Sequence, residues 1–550
     1  MGIGGKYRLL QKPIWHHLNK TFVTQIKKKP SQLHNVWESV IGLEIHAQIN
    51  TRSKLFSSAR NRFMEPPNFL VSDFDAALPG TFPVLNKNCV EAAVFTSLAL
   101  NCKINMKSYF DRKHYFYADL PQGYQITQQR KPIAVDGHFP IPIEERHPEK
   151  GYIIRWKNIG IEQIQLEQDS GKSLHDDVEN SSLIDLNRAG VGLMEIVTSP
   201  DFSSSEEAAT FVTDLQLTMM RLGTCCGKVD EGQLRVDANI SIRRPGEPLG
   251  VRSEVKNIAG IRGLQQAIEF EISRQRILLE SGQRVVNETR DFNAEKGITI
   301  SMRDKGEFQD YRFMPEPNLP PLILYSDETL PPSFDSSCDI NIDDIRRRLP
   351  HPMPVDIRRQ LVEKYDLSLS DSTFLMENGI GEYFVDILVA APNLTHLTVF
   401  DFVRSQLLGV MYATNRRTKE CPVSPKQAAN LLVLLDNQDI NSDIMIQTFN
   451  VMVNEGGSPE EIIDSRSWRM IKDISTIEKF CDEALKTINL ENMLKKYIPG
   501  KHKRPKNKKA VSTVVTAIIE LSKGRAHTKI AQNVARHMLD KLSSNAANKK

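Results

Sequence analysis

The hydrophobic period changes once along this chain, and that change constrains its architecture more than any other feature. From Val36 to about Leu324, short segments alternate apolar and polar residues between Gly- and Pro-containing turns; beyond residue 340 the apolar residues recur at helical spacing. A period of two sends successive side chains to opposite faces of a strand, and a period near 3.6 gathers them on one stripe of a helix. The expected class is therefore α+β, with sheet structure first and an all-α region last. A chain of 550 residues has room for roughly three or four domains.

The clearest alternation runs from Ile41 to Asn50. It places Ile41, Leu43, Ile45 and Ile49 on one face and Glu44, His46, Gln48 and Asn50 on the other. A carboxylate and an imidazole two residues apart on one strand face can share a cation. A half-exposed edge strand of a one-sided antiparallel sheet shows the same pattern. A second run, from Ile161, aligns Gln163, Gln165, Glu167 and Asp169, and Glu195 stands inside the apolar segment 191–197. Burying such a carboxylate is costly unless a cation or several donors satisfy it, and a structural salt bridge is one way to do so. Glu44, Glu167 and Glu195 with His46 make an oxygen-dominated set. It suits Mg²⁺ that keeps waters and phosphate oxygens better than a structural zinc.

Cations are at hand. A long strand beginning at Leu234 sets Arg235, Asp237 and Asn239 opposite Val236, Ala238 and Ile240, and after the Pro245-Gly246 turn the chain returns with Arg252, Glu254 and Lys256 on one side. Arg235, Arg252 and Lys256 could neutralise a transferring phosphoryl group. The segment from Asp111 to Pro121 interleaves Lys113 and His114 with Tyr115, Phe116 and Tyr117. Aromatic faces stack on bases while cations hold phosphates, so a nucleotide or a tRNA end is expected at Lys113 and Tyr117; core packing would also use these rings. Two glycine motifs fail. Gly171-Lys172-Ser173 has Leu166 where a P-loop needs glycine, and Gly190-x-Gly192 has Glu195 where a dinucleotide fingerprint needs its third glycine.

Residues 1–37 carry Lys6, Arg8, Lys12, Lys20, Lys27, Lys28 and Lys29 and no acid, interleaved with Leu9, Leu10, Trp15 and Phe22. This is the composition of an organellar transit peptide, expected over residues 1–35, and also of a cationic arm that binds nucleic acid. The seven cysteines are scattered, with no Cys-x-x-Cys, which argues for a reducing compartment and against a cysteine zinc site. No apolar run approaches the roughly 18 residues of a membrane span.

Ser203 and Glu206 have capping-box spacing at the head of a helix expected to end at Gly223. In the tail, amphipathic helices are expected over 402–413, 424–435, 442–454, 458–464, 475–490, 509–523 and 528–542. The tract Lys501, Lys503, Arg504, Lys506, Lys508 and Lys509 contains no acid and suits phosphate-backbone contact, or a solvated loop.

Several of these segments, in order over nearly 300 residues, resemble the B-subunit family of the tRNA-dependent amidotransferases. They are IGLEIHAQINTRSKL from Ile41, DRKHYFYADLPQGYQITQ from Asp111, Glu167 to Ser173, DLNRAGVGLMEIVTSP from Asp185, EGQLRVDANIS from Glu231, Glu254 to Ile258, Glu288 to Arg290 and Asp310 to Pro321. The resemblance implies an antiparallel-sheet cradle domain over residues 36–335, a helical linker domain over 336–399, and a YqeY-like helical tail over 400–550 that holds tRNA. It implies ATP-dependent phosphorylation of the glutamyl side chain of Glu-tRNA(Gln), then displacement of phosphate by ammonia. The ammonia would come from an amidase-like A subunit, with a small C subunit completing the complex in the mitochondrial matrix. Carried over by position, Glu44, His46, Glu167 and Glu195 look like the metal and phosphate face.

Two departures stand out. Relatives that bind zinc have cysteines after the Lys-Leu-Phe step, where this chain has Ser57-Ser58, and others carry paired acids where it has Glu167-Gln168. Strand parity assigns the ligand role to Glu167, with Asp169 as the substitute if the second acid is the ligand. A tRNA-binding scaffold without activity and a metal-dependent hydrolase are the competing readings. The first gives no reason to keep the acids together, and the second does not account for the basic helical tail.

Overall fold

The computed structural model describes residues 37–547 apart from 150, 177–178, 230, 303–311 and 417–419. The chain divides into two compact units, Met1–Asp356 and Ile357–Lys550. The first is built on a nine-stranded sheet. Its strands, in chain order, are β1 (Glu38–Gln48), β2 (Lys103–Ile104), β3 (Ala134–His147), β4 (Gly151–Gln168), β5 (Gly192–Thr198), β6 (Leu234–Arg243), β7 (Ser253–Lys256), β8 (Glu288–Asn293) and β9 (Ile298–Ser301). In space they run β9-β8-β7-β6-β1-β5-β4-β3-β2. The most cleanly alternating segment, β1, thus lies inside the sheet, antiparallel to β5 on one side and β6 on the other, and the edge-strand alternative falls away.

The apolar residues of β1 are buried in one core with Val236, Ala238 and Ile240 of β6. Helices contribute to that core, chief among them α1 (Lys87–Ala99), α2 (Ser205–Leu222) and α3 (Gly260–Glu280). On α2, Ala208, Val212, Leu215 and Met219 form the apolar stripe. Its cap lies one residue later than the spacing suggests. Ser204 Oγ accepts from Glu207 N, and Glu207 Oε2 accepts from Ser203 N at 2.8 Å and from Lys157 Nζ at 2.8 Å. Lys157, on β4, thus gives Glu207 a partner beyond the cap. Gly223, at φ +74°, closes the helix.

The sheet is antiparallel except where β7 and β8 run parallel. The chain between them forms α3, the crossover that a parallel pair requires. A second, three-stranded sheet has Asp111–His114 between Tyr124–Thr127 and Arg312–Pro315.

The second unit is helical where the period predicts it. Helices occupy Pro425–Asp436, Ser442–Glu455, Pro459–Ser465, Ile474–Thr487, Pro505–Leu521 and Thr528–Ala547. The last helices share a core in which Val511, Val514, Val515 and Ile518 meet Ile477, Cys481, Ala535 and Leu539. The basic tract is part loop and part helix, because Lys506, Lys508 and Lys509 open the helix that begins at Pro505. No helix among the described residues is long and apolar enough to cross a membrane.

Candidate active site

Antiparallel register sets the geometry. His46 faces Glu195 across β1 and β5 and faces Arg235 across β1 and β6, while Glu167 on β4 lies two pairs further along, opposite Leu193. His46 Nε2 lies 3.8 Å from Glu195 Oε2 and 3.9 Å from Glu167 Oε1. One ligand atom from each of the three residues lies within 4.8 Å of the others, the one such group among the described residues. The His46 side chain is 18% exposed and that of Glu167 only 3%, so solvent reaches the group mainly from the histidine side.

Two glutamines brace the carboxylates. Gln125 Nε2 donates to Glu167 Oε1 at 2.6 Å, and Gln165 Nε2 donates to Glu195 Oε2 at 2.7 Å and to Thr127 Oγ1 at 3.1 Å. Glu167 Oε2 is buried with no hydrogen-bond partner. Burial, reinforced by the charge of Glu195, pushes the Glu167 carboxyl up to about 7. Burial also lowers the pKa of His46, against the pull of Glu167 and Asp237. A neutral imidazole beside an unsatisfied carboxylate oxygen is a donor set that a divalent cation fits.

The other expected residues take distinct places. Glu44 shares the polar face of β1 but stays outside the three-residue group, and its Oε1 accepts from Asn239 Nδ2 at 2.9 Å. Asp169 is likewise outside. It pairs with Arg235 at 3.0 Å and Arg188 at 3.6 Å. Lys256 is shared between Asp237 and Glu254, at 2.8 Å from each. Arg252 lines a cavity of about 280 Å³ that also includes Glu44. At the other end of β1, Gln48 and Asn50 line a cavity of about 430 Å³ with Arg62, Lys172 and Arg188. His46 lies on β1 between the two. The charge of Lys113 acts on both Glu167 and His46, whereas Tyr117 is 56% and Phe116 86% exposed.

Sequence reasoning missed Gln125 as a site residue. Its signal was present but faint: Gln125 and Thr127 share the parity of a short strand within an already matched segment.

A model of the GatB/GatE catalytic domain matches residues 39–329, and a GatB domain model matches residues 383–539. A protein of Homo sapiens, named as the B subunit of the mitochondrial glutamyl-tRNA(Gln) amidotransferase, is 52% identical over 451 residues, spanning 82% of this chain and 80% of that protein. Its namesake in Danio rerio is 45% identical over 527 residues, 95% of this chain and 92% of that one. A protein of Rickettsia rickettsii, named as the B subunit of an aspartyl/glutamyl-tRNA(Asn/Gln) amidotransferase, is 43% identical over 454 residues, 82% and 88% of the two chains. The animal relatives are named as mitochondrial, and this chain is a mitochondrial protein; the transit peptide expected over residues 1–35 lies outside the described residues. On two domain models and extensive identity, the chain belongs to the GatB/GatE family.

Proposed function

We propose that this chain is the B subunit of a tRNA-dependent amidotransferase of the mitochondrial matrix, a carbon–nitrogen ligase that converts Glu-tRNA(Gln) to Gln-tRNA(Gln) for mitochondrial translation. The observation that carries the reading is the His46, Glu167 and Glu195 group, with its orphaned Glu167 oxygen, inside the domain matched to the family's catalytic model. A carboxylate is a poor acyl donor because its oxygen leaves badly and its charge repels nucleophiles. In the first step a glutamyl carboxylate oxygen attacks the γ-phosphorus of ATP and ADP leaves. In the second, ammonia attacks the acyl carbon, phosphate departs with the bond electrons, and the nitrogen loses a proton.

His46, Glu167 and Glu195 would hold Mg²⁺, with Glu44 beside them; bound there, Mg²⁺ supplies positive charge for the phosphoryl oxygens. Gln125 and Gln165 fix which carboxylate oxygens face inward. The charges of Arg235 on β6 and of Lys113 act on the group, and Lys256 on β7 and Arg252 just before it add cations further along the sheet, which favours a reaction that gathers anions. Tyr117 offers a stacking face for an adenine.

The domain assignment is part of the same reading: a cradle over 36–335, a helical linker over 336–399 and a tRNA-binding tail over 400–550. Lys506, Lys508 and Lys509 favour it. They occupy the start of a helix whose first turn has no acid, where the helix dipole disfavours cations and favours anions such as phosphate. An amidase-like A subunit supplies ammonia, and a small C subunit completes the assembly.

The test is Gln-tRNA formation by the assembled complex, given Glu-tRNA(Gln), ATP, Mg²⁺ and ammonium. Product is expected only with ATP and Mg²⁺ together. A Glu195→Gln complex working at the full rate would overturn the site assignment.

A further inference from the structure

The outer strands of the sheet are held on their buried face by charges in addition to the apolar packing, with Val255 and Phe292, that they share with the centre. We infer that this network positions Lys256 for the reaction, with Glu271 and Arg290 as positioning residues that act through it. The inference rests on the amidotransferase reading above.

Below β1 and β6 the buried face consists of Ile41, Leu43, Ile45, Val236, Ala238 and Ile240. Below β7, β8 and β9 it includes Ser253, Arg290 and Thr299, all buried. Opposite them α3 presents Glu271 and Gln275, both with no exposed surface, and Arg274. Glu271 Oε1 accepts from Arg274 at 2.6 Å and from Gln275 at 2.9 Å, and Glu271 Oε2 accepts from Thr299 Oγ1 at 3.0 Å and lies 3.5 Å from Arg290 Nε. Arg290 donates to Thr299 Oγ1 and to Thr299 O, each at 2.8 Å, and to Glu288. Arg274 reaches Ser253 Oγ at 3.2 Å, and Gln275 reaches Ile240 O at 3.0 Å. One buried network thus grips β6, β7, β8 and β9 from a single helix.

Such a grip answers a weakness in the sheet. β7 has only four residues, registers three of them with β6, and pairs with β8 in parallel, the slightly less stable arrangement. Apolar packing is non-directional and tolerates small slips. A satisfied hydrogen-bond network in a low dielectric admits far fewer arrangements.

The front face shows what is being held. Thr289, the residue before Arg290, donates through Oγ1 to Glu254 Oε2 at 2.9 Å. Glu254 and Asp237 clasp Lys256, and Asp237 pairs with Glu44 across β6 and β1. Arg290 and Thr289 point to opposite faces of β8. A shift of Arg290 therefore passes through Thr289 and Glu254 to Lys256.

A double-mutant cycle on the assembled complex separates positioning from general support. Arg290→Met is expected to raise the KM for ATP about tenfold with kcat falling less than about threefold, and Lys256→Met to do the same. In the Lys256→Met background, Arg290→Met should then add less than about twofold. Glu271→Gln, which keeps an acceptor for Arg274, runs the same cycle if Arg290→Met does not fold. Effects that multiply in the double variant, or an Arg290→Met complex with wild-type KM and kcat, would overturn the inference. Failure of the amidotransferase reading looks different: the wild-type complex itself would form no Gln-tRNA from ATP and ammonium.

Discussion

Two of the clusters of buried charge in the sheet-bearing unit are built on opposite principles. In the first, Lys54 and Asp75, 0% and 4% exposed, pair at 3.1 Å. Ser57 Oγ and Ser72 N also donate to Asp75, and Lys54 reaches Leu186 O at 3.4 Å. Gly190, at φ +82°, lets the backbone pass so close that a Cβ there would sit 2.5 Å from Asp75 Oδ1. In the second, two carboxylates converge on a neutral imidazole, and one oxygen has no partner. A saturated pair of opposite charges ties three loops together and asks for nothing more. An unsaturated group of like charges leaves a buried oxygen without a donor, and on the reading proposed above a cation satisfies it.

The contrast breaks first at the saturated pair. Lys54→Met leaves Asp75 buried without its counter-charge and is expected to lower stability by about 3–5 kcal/mol, read as the midpoint of urea unfolding at constant slope. At the unsaturated group the signs differ. Glu167→Gln removes a repelled charge, so the metal-free chain should keep or raise its melting temperature, while amidation falls by at least ~100-fold. If Glu167→Gln destabilises as Lys54→Met does, the two clusters are alike and the distinction fails.

pH sharpens the comparison by a smaller amount. With its folded pKa raised to about 7, Glu167 holds its proton more tightly in the folded than in the unfolded chain. The stability contributed by that proton is therefore present below the ordinary carboxylate range and is lost as pH rises through about 7. A cation must displace the same proton, so Mg²⁺ affinity should climb up to about tenfold per pH unit below 7 and level off above it. Melting temperatures with and without Mg²⁺ should diverge between pH 5.5 and pH 8 in the wild type, and stay apart by a constant amount in Glu167→Gln.

Much of this geometry was legible because strand parity is unforgiving. Alternation placed Glu44 and His46 together, and Glu195 announced itself as a carboxylate in an apolar strand. Parity did not reveal which acids would converge. That depends on register between β1, β5 and β4, and register drew Glu167 in while leaving Glu44 to Asn239 and Asp169 to Arg235. Gln125 was hidden for another reason: it comes from a separate sheet, 42 residues away from Glu167. The Glu271 network was invisible too, because Glu271, Arg274 and Gln275 on a helix read as a solvated face until a polar-backed sheet is found beneath them.

The step from Glu167 to Gln168 is where parity can be tested most finely. The two side chains leave β4 on opposite faces, and Gln168, 3% exposed, accepts through Oε1 from Ile126 N at 2.9 Å. Gln168 therefore braces the small sheet that carries Gln125, and it takes no part in the three-residue group. Gln168→Met would orphan the Ile126 amide and is expected to lower stability by about 1–3 kcal/mol. Mg²⁺ affinity, measured by calorimetry well below the melting temperature, should change less than about twofold, since no ligand atom is removed. A loss of affinity as large as that of Glu167→Gln would mean that the cation is held from the second position of the pair, and that the metal site lies on the other side of the strand.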